Sequence, residues 1–151
     1  MNKDAFVQQI GACSDKMYRV AYTLLRSDAD CKDALQEAAL RAWEKRGSLR
    51  DESRFAPWVM RILLHECYAL LRKRRRSMPL ELAPELAAPP PDGTLAQALQ
   101  ALPEKLRLPL VLCYANGMTY AEIAEVLHLP QSTIRGRIHR AKQQLRKELE
   151  A

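Results

Sequence analysis

At 151 residues the chain is long enough for one ordinary domain or two small ones and too short for most large catalytic architectures. Apolar residues make up 48% and charged residues 28%, while five Gly and 6% aromatics argue against a turn-rich all-β barrel or sandwich and favour helices. The 24 Lys plus Arg outnumber the 18 Asp plus Glu, and the net charge of +6 permits a polyanionic partner without proving one.

In chain order, Phe6, Ile10, Cys13, Met17, Val20, Ala21, Leu24 and Leu25 recur at steps of three and four, which predicts a helical segment with one apolar face. From Asp30 to Lys45, Ala34, Leu35, Ala38, Ala42 and Trp43 can face a core, while Asp33, Gln36, Glu37, Leu40, Arg41 and Glu44 lie toward another side. Gly47 fits the stop of that helix. Residues Ser48 to Arg54 read as a polar loop before a third helix carrying Phe55, Trp58, Ile62, Leu63, Cys67, Leu70 and Leu71, with Pro57 in the first turn, where its missing donor costs little. That helix closes on Arg72, Lys73, Arg74, Arg75 and Arg76. A charge run is usually a solvated helix end, yet this one follows Arg61 and His65 at helical steps from Trp58, so a basic strip beside an aromatic can track a DNA backbone or stack on an unpaired base. Trp58 alone reads as core.

Five prolines between Ser77 and Thr94 (Pro79, Pro84, Pro89, Pro90 and Pro91) bias the chain toward extended backbone and mark a linker. The expected organisation is therefore a helical domain over 1–76, a Pro-rich linker over 77–94 and a second helical domain over 95–151. In the second domain Leu95, Leu99 and Leu102, then Leu106, Leu108, Leu110, Val111 and Tyr114, predict two short helices ending at Asn116 and Gly117. Thr119 and Glu122 have capping-box spacing and open a helix over about Tyr120 to Leu127. A tight turn at His128, Leu129 and Pro130 then leads to a longer helix from about Gln131 to Leu149. This is helix-turn-helix spacing, with Ile123, Ala124 and Leu127 expected against Ile134, Ile138, Ala141 and Leu145. Off the apolar stripe lie Ser132, Thr133, Arg135, Gly136, Arg137, His139, Arg140 and Lys142, with no acidic residue between Gln131 and Lys147. Such a face suits the phosphates and base edges of a major groove; the plainer reading is a solvated helix with cations toward its C-terminal end.

No run reaches the roughly 18 apolar residues of a membrane span, and the first ten residues hold no secretory apolar core, so no membrane insertion and a cytoplasmic location are expected. Cys13, Cys31, Cys67 and Cys113 stand singly, without C-x-x-C pairs, and read as reduced apolar side chains. No catalytic residue, metal site or cofactor is expected: there is no Gly-rich phosphate loop, no nucleophile motif and no cluster of carboxylates or histidines, which weighs against a nucleic-acid enzyme. The acidic side of the second helix would repel DNA and suits a protein partner.

The chain resembles the extracytoplasmic-function group of bacterial sigma-70 factors, the minimal type with regions 2 and 4 only. The N-terminal likeness lies in Asp30-Cys-Lys-Asp-Ala-Leu-Gln-Glu-Ala-Ala-Leu-Arg-Ala-Trp43, Phe55-Ala-Pro-Trp58, Arg61-Ile62 and the Arg72–Arg76 run. The C-terminal likeness lies in Leu102-Pro-Glu-Lys-Leu-Arg, Gly117-Met-Thr-Tyr-Ala-Glu-Ile-Ala and Ser132-Thr-Ile-Arg-Gly-Arg-Ile-His-Arg-Ala141. The resemblance implies an all-α fold of two small domains and a transcription initiation factor that binds core RNA polymerase. It implies polymerase contact by Asp33, Gln36, Glu37 and Leu40. The downstream promoter element would meet Arg50, Ser53, Arg54, Trp58, Arg61, His65 and Arg72 as its strands separate. The upstream duplex element would be read by Ser132, Thr133, Arg135, Gly136, Arg137, His139 and Arg140. Promoter DNA, core polymerase and an anti-sigma protein are the implied partners. Where many members carry Asn and Asp in the third helix, this chain has His65 and Ala69, and Ala39 stands where an aromatic is frequent. A stand-alone helix-turn-helix regulator, which would bind its operator tightly without polymerase, is the alternative.

Overall fold

The structure, a computed structural model, describes residues 1–77 and 95–150. Regular structure among the described residues is helical throughout: α1 (Lys3–Leu25), α2 (Asp28–Glu44), two single 3-10 turns (Arg46–Ser48 and Glu52–Arg54), α3 (Phe55–Ser77), α4 (Leu95–Ala101), α5 (Glu104–Tyr114), α6 (Tyr120–Leu127) and α7 (Gln131–Glu150). The chain divides into two compact units, Met1–Ala83 and Pro84–Ala151. The third helix runs on to Ser77, one residue into the span read as linker; residues 78–94 lie outside the described residues.

In the first unit, α1 begins where the Asn2 side chain accepts the Ala5 N–H at 2.8 Å, one of the amides that a helix start leaves open. It ends at Arg26, held left-handed at φ 52° with its N–H on the Tyr22 carbonyl. Ser27 then caps α2 by accepting the Asp30 N–H at 3.2 Å. The second helix thus starts at Asp28, two residues earlier than its apolar pattern shows, and Asp28 and Asp30 in its first turn favour that end electrostatically. Its buried face is narrow and small: Cys31, Ala34, Ala38 and Ala42. Leu35 and Trp43, expected in the core, are half-buried. The third helix answers with Val59, Met60, Leu63, Leu64 and Cys67, and α1 closes the core with Met17, Val20, Ala21, Leu24 and Leu25.

In the second unit, α4 and α5 meet where the Arg107 guanidinium donates to the carbonyls of Leu102 (2.9 Å) and Gln100 (3.4 Å), satisfying acceptors that the end of α4 leaves open. The fifth helix continues through a buried Pro109 to Tyr114, and the chain leaves it through Gly117, whose φ of 68° belongs to the left-handed region where glycine has no side-chain penalty. Its N–H reaches the Cys113 carbonyl at 3.1 Å. Both bonds of the capping box are present: Thr119 Oγ1 accepts the Glu122 N–H at 3.1 Å, and Glu122 Oε1 accepts the Thr119 N–H at 2.9 Å. His128 adopts φ 57° and turns the chain, Leu129 N–H bonds back to Ala124, and the Pro130 carbonyl accepts from Thr133 and Ile134 to open α7. Ile134, Ile138 and Ala141 are buried as expected. On α6, however, the buried pair is Ile123 and Val126, with Ala124 and Leu127 half-buried. This short helix packs against α5 as well as α7, so the buried stripe shifts toward both neighbours. Between α4, α5 and α7 lies an apolar cleft of about 440 Å³ edged by Leu95, Leu110, Val111 and Leu145, where Lys142 Nζ sits 4.7 Å from the centre of the Tyr114 ring.

All four cysteines are free, and only Cys113 is more than marginally exposed. Burial pushes the Cys67 thiol up to about 12 and the Cys31 thiol up to about 11, so neither carries appreciable thiolate at neutral pH. A thiol reagent at pH 8 is expected to label Cys113 first and to reach Cys31 and Cys67 only as fast as the first unit unfolds, with mass mapping as the readout; rapid native labelling of either would contradict the packing. Replacing the cap, Thr119→Ala, is expected to cost the second unit about 1 kcal/mol in urea unfolding, and an unchanged midpoint would show that the reciprocal bonds contribute nothing.

Candidate polymerase and nucleic-acid interfaces

Because small side chains fill the inner face of α2, its outer face is unambiguous. Asp33, Gln36, Glu37 and Leu40 are all exposed there at steps of three and one, and Leu40 keeps 56% of its surface. An apolar side chain so open, ringed by two carboxylates and an amide, fits a protein surface better than DNA. The acidic character is narrower than the sequence suggests. Asp28 accepts a hydrogen bond from the Tyr18 hydroxyl at 2.5 Å and pairs with Lys32 at 3.0 Å; the Tyr18 hydrogen bond, then Lys32, hold its carboxyl below the usual range, while Tyr18 is raised to about 12. Asp30 accepts from Arg74 Nε at 3.0 Å and from its Nη2. In the middle of α2 the exposed negative charge is therefore that of Asp33 and Glu37.

The same ion pair corrects the reading of the basic run. Arg74 is half-buried against α2, so the run is not one uniform DNA-facing strip; Arg72, Lys73 and Arg76 remain exposed. A second cross-helix pair, Arg41 with Glu66, ties α2 to the middle of α3. Beyond these ties, Arg61, His65 and Arg72 are exposed on α3 at helical steps from Trp58. Trp58 is half-buried rather than core, with its ring 5.7 Å from Phe55.

The Ser48–Arg54 segment is ordered by its own bonds. Ser48 Oγ donates to the Lys45 carbonyl at 2.7 Å, and Asp51 Oδ1 accepts from the Ser53 N–H and hydroxyl, which lowers the Asp51 pKa. The result is two short turns that leave Arg50, Ser53 and Arg54 exposed. Just before them stands Arg46, which the sequence pattern does not single out. Its guanidinium carbon lies 3.6 Å from the centre of the Trp43 ring, and its Nη1 donates to the Trp43 carbonyl at 2.7 Å. The only local signal was an Arg three residues after a Trp at a helix end.

On α7, Ser132, Arg135, His139 and Arg140 are exposed, whereas Thr133, Gly136 and Arg137 are half-buried at the edges of the same face. No group of three or more His, Cys, Asp or Glu able to hold a metal occurs among the described residues, and no described helix is long and apolar enough to cross a membrane.

Residues 10–77 match the family model for sigma-70 region 2, and residues 93–145 match that for sigma-70, region 4. The ECF RNA polymerase sigma factor SigW of Bacillus subtilis is 28% identical over 98% of this chain and 90% of its own length. Among solved structures, CnrH in complex with the cytosolic domain of CnrY has a TM-score of 0.76 at 30% identity, over 99% of this chain and 90% of that one. The sigma factor RpoE of Bartonella quintana, in complex with the anti-sigma factor NepR, has a TM-score of 0.80 at 24% identity, over 97% and 98% of the two chains, a likeness of fold.

Proposed function

The chain belongs to the sigma-70 family, in its extracytoplasmic-function group of promoter-directing transcription initiation factors, and on that premise we propose how its surfaces divide the work. The outer face of α2, Asp33, Gln36, Glu37 and Leu40, binds core RNA polymerase. The turns carrying Arg50, Ser53 and Arg54, together with Trp58, Arg61, His65 and Arg72 of α3, take the downstream promoter element as it melts. The exposed face of α7, Ser132, Arg135, His139 and Arg140 flanked by Thr133, Gly136 and Arg137, reads the upstream element as duplex. The observation that carries this division is the electrostatic contrast on the first unit: carboxylates and an exposed leucine on α2, cations on α3 and the turns.

A stand-alone helix-turn-helix regulator is set aside, because residues 10–77 of the first unit match sigma-70 region 2. The work is binding rather than chemistry, and it takes place where polymerase and promoter are, in the cytoplasm. RpoE is in complex with the anti-sigma factor NepR, and CnrH with the cytosolic domain of CnrY, in the structures named above; an anti-sigma protein is proposed here too, acting by covering surfaces that polymerase needs.

Melting sets the energetic requirement. Separating a stacked base-pair step costs about 1.4 kcal/mol, and a surface that binds duplex and single strand equally shifts nothing. The first unit must prefer the unpaired strand, and base stacking at about 1 to 3 kcal/mol per base is large enough to supply the difference. The two DNA-binding units share one chain, so docking both on polymerase converts two weak contacts into one effectively intramolecular recognition.

Reconstituted transcription with core polymerase on a random promoter library tests the assignment: selective initiation is expected, whereas no initiation combined with tight duplex binding by the chain alone would overturn it. The pair Asp33→Ala and Glu37→Ala is expected to abolish co-purification with core polymerase at unchanged helix content by circular dichroism; retained co-purification would remove α2 from the contact. Arg140→Ala is expected to cost about 1 to 3 kcal/mol at a single base position if it reads an edge, and a uniform loss over all sequences would reduce it to a phosphate contact.

A further inference from the structure

Four aromatic rings form a row through the first unit. Trp43 meets Phe6 edge-on at 5.2 Å, Phe6 meets Phe55 at 5.9 Å, and Phe55 meets Trp58 at 5.7 Å. The middle two rings are buried, and the two tryptophans at the ends are half-exposed. The Trp58 end already belongs to the downstream-element surface. The Trp43 end is finished by a guanidinium: Arg46 lies flat enough on the indole to bring its central carbon 3.6 Å from the ring centre, and Nη1 is fastened to the Trp43 carbonyl.

This guanidinium is set apart from the two that tie α2 to α3. Arg41 and Arg74 are taken up by Glu66 and Asp30, whereas Arg46 has no carboxylate partner among the described residues. One of its faces is covered by indole, it is half-exposed, and it stands at the first residue of the turns that carry Arg50 and Arg54. A planar cation presents the same kind of surface as an aromatic ring to an unpaired base, and arginine planes stack bases in single-stranded recognition.

We propose that the outer face of the Arg46 guanidinium, backed by Trp43, is a stacking seat for one unpaired nucleobase of the melted downstream element. The proposal rests on the assignment of that element to the first unit and adds a binding position that the resemblance does not supply. Two features make the seat ready-made. The Phe6 edge contact holds the indole, and the bond to the Trp43 carbonyl holds the guanidinium, so little side-chain freedom remains to be lost when a base arrives. The exposed Lys45, Arg50 and Arg54 nearby in the chain draw the phosphates toward it. Stacking is tolerant of base identity, because every base has a π-face; the seat therefore secures the open state rather than selecting a sequence.

The test uses holoenzyme assembled from core polymerase and the full chain, and fork DNA carrying a promoter selected in the library experiment, single-stranded over the downstream element. Abasic residues are placed one position at a time along the unpaired strand, and affinity is measured for wild type, Arg46→Ala and Arg46→Lys. In the wild type one position is expected to lose about 5- to 150-fold when its base is removed, the span of a single stacking contact. Both variants are expected to lose that sensitivity at that position alone while co-purifying with core polymerase as wild type does. Arg46→Lys keeps the charge without the plane, so its failure separates stacking from simple attraction, and it serves where Arg46→Ala disturbs the turn. An unchanged abasic profile in both variants, or a uniform weakening at every position, would overturn the seat and leave Arg46 as a fastening for the end of α2. Wild-type holoenzyme that fails to bind the fork at all would instead overturn the functional assignment.

Discussion

The close approach of α2 to α3 is the constraint on which the first unit depends. Four small side chains, Cys31, Ala34, Ala38 and Ala42, are the whole buried face of α2, and side-chain size at the contact sets how near two helix axes come. With its inner stripe spent on this seam, α2 can present its polar residues only outward. The seam also fixes register. Asp30 on α2 pairs with Arg74 on α3, and Arg41 on α2 pairs with Glu66 on α3, so acid and base alternate across the two helices. Partly exposed pairs of this kind contribute about 1 kcal/mol or less each. Their opposite polarity nonetheless penalises a slipped or reversed packing, in which carboxylate would face carboxylate. The exposed acidic stripe of α2 and the exposed basic stripe of α3 are thus held in fixed relation by one tight contact.

How far the sequence could be read follows from how local each signal is. The capping box at Thr119 and Glu122, the stop at Gly117 and the cationic stripe of α7 are each written within a few residues, and each is found where the spacing places it. The start of α2 at Asp28 lies two residues ahead of the Asp30–Lys45 span that its apolar pattern marks; the local signal for it is Ser27, a capping residue followed closely by Asp28 and Asp30. Long-range partners leave no local trace. Nothing within Arg72–Arg76 distinguishes Arg74, since the residue that claims it is 44 positions away. The exposure of Trp43 and Trp58 likewise depends on Phe6 and Phe55, which occupy the middle of the aromatic row and push the indoles to its ends.

Charge shows the same division between total and placement. The net +6 says only that an anionic partner is tolerated. What gives the molecule direction is placement: Asp28 and Asp30 at the start of α2 are committed to Tyr18, Lys32 and Arg74, while Asp33 and Glu37 stand exposed one turn apart as a compact negative site. A compact site can be matched by one complementary patch on a protein, whereas a diffuse one would chiefly weaken the attraction of the neighbouring cations for DNA.

The preorganisation of the aromatic row bears on the proposed opening of a duplex by binding alone. A side chain that must be ordered on binding loses about 0.5 to 1.5 kcal/mol of its contact, comparable to the 1.4 kcal/mol that one melted step requires. Rings already locked edge-to-face, and a guanidinium already fastened to a helix end, give up little of their stacking energy in this way. On the proposed assignment, the rigidity that buried Phe6 and Phe55 lend to the two indoles would serve the single strand and not the duplex, whose stacked bases cannot reach these planes. That asymmetry is what a melting surface needs, and it arises from packing in the core rather than from any reactive group.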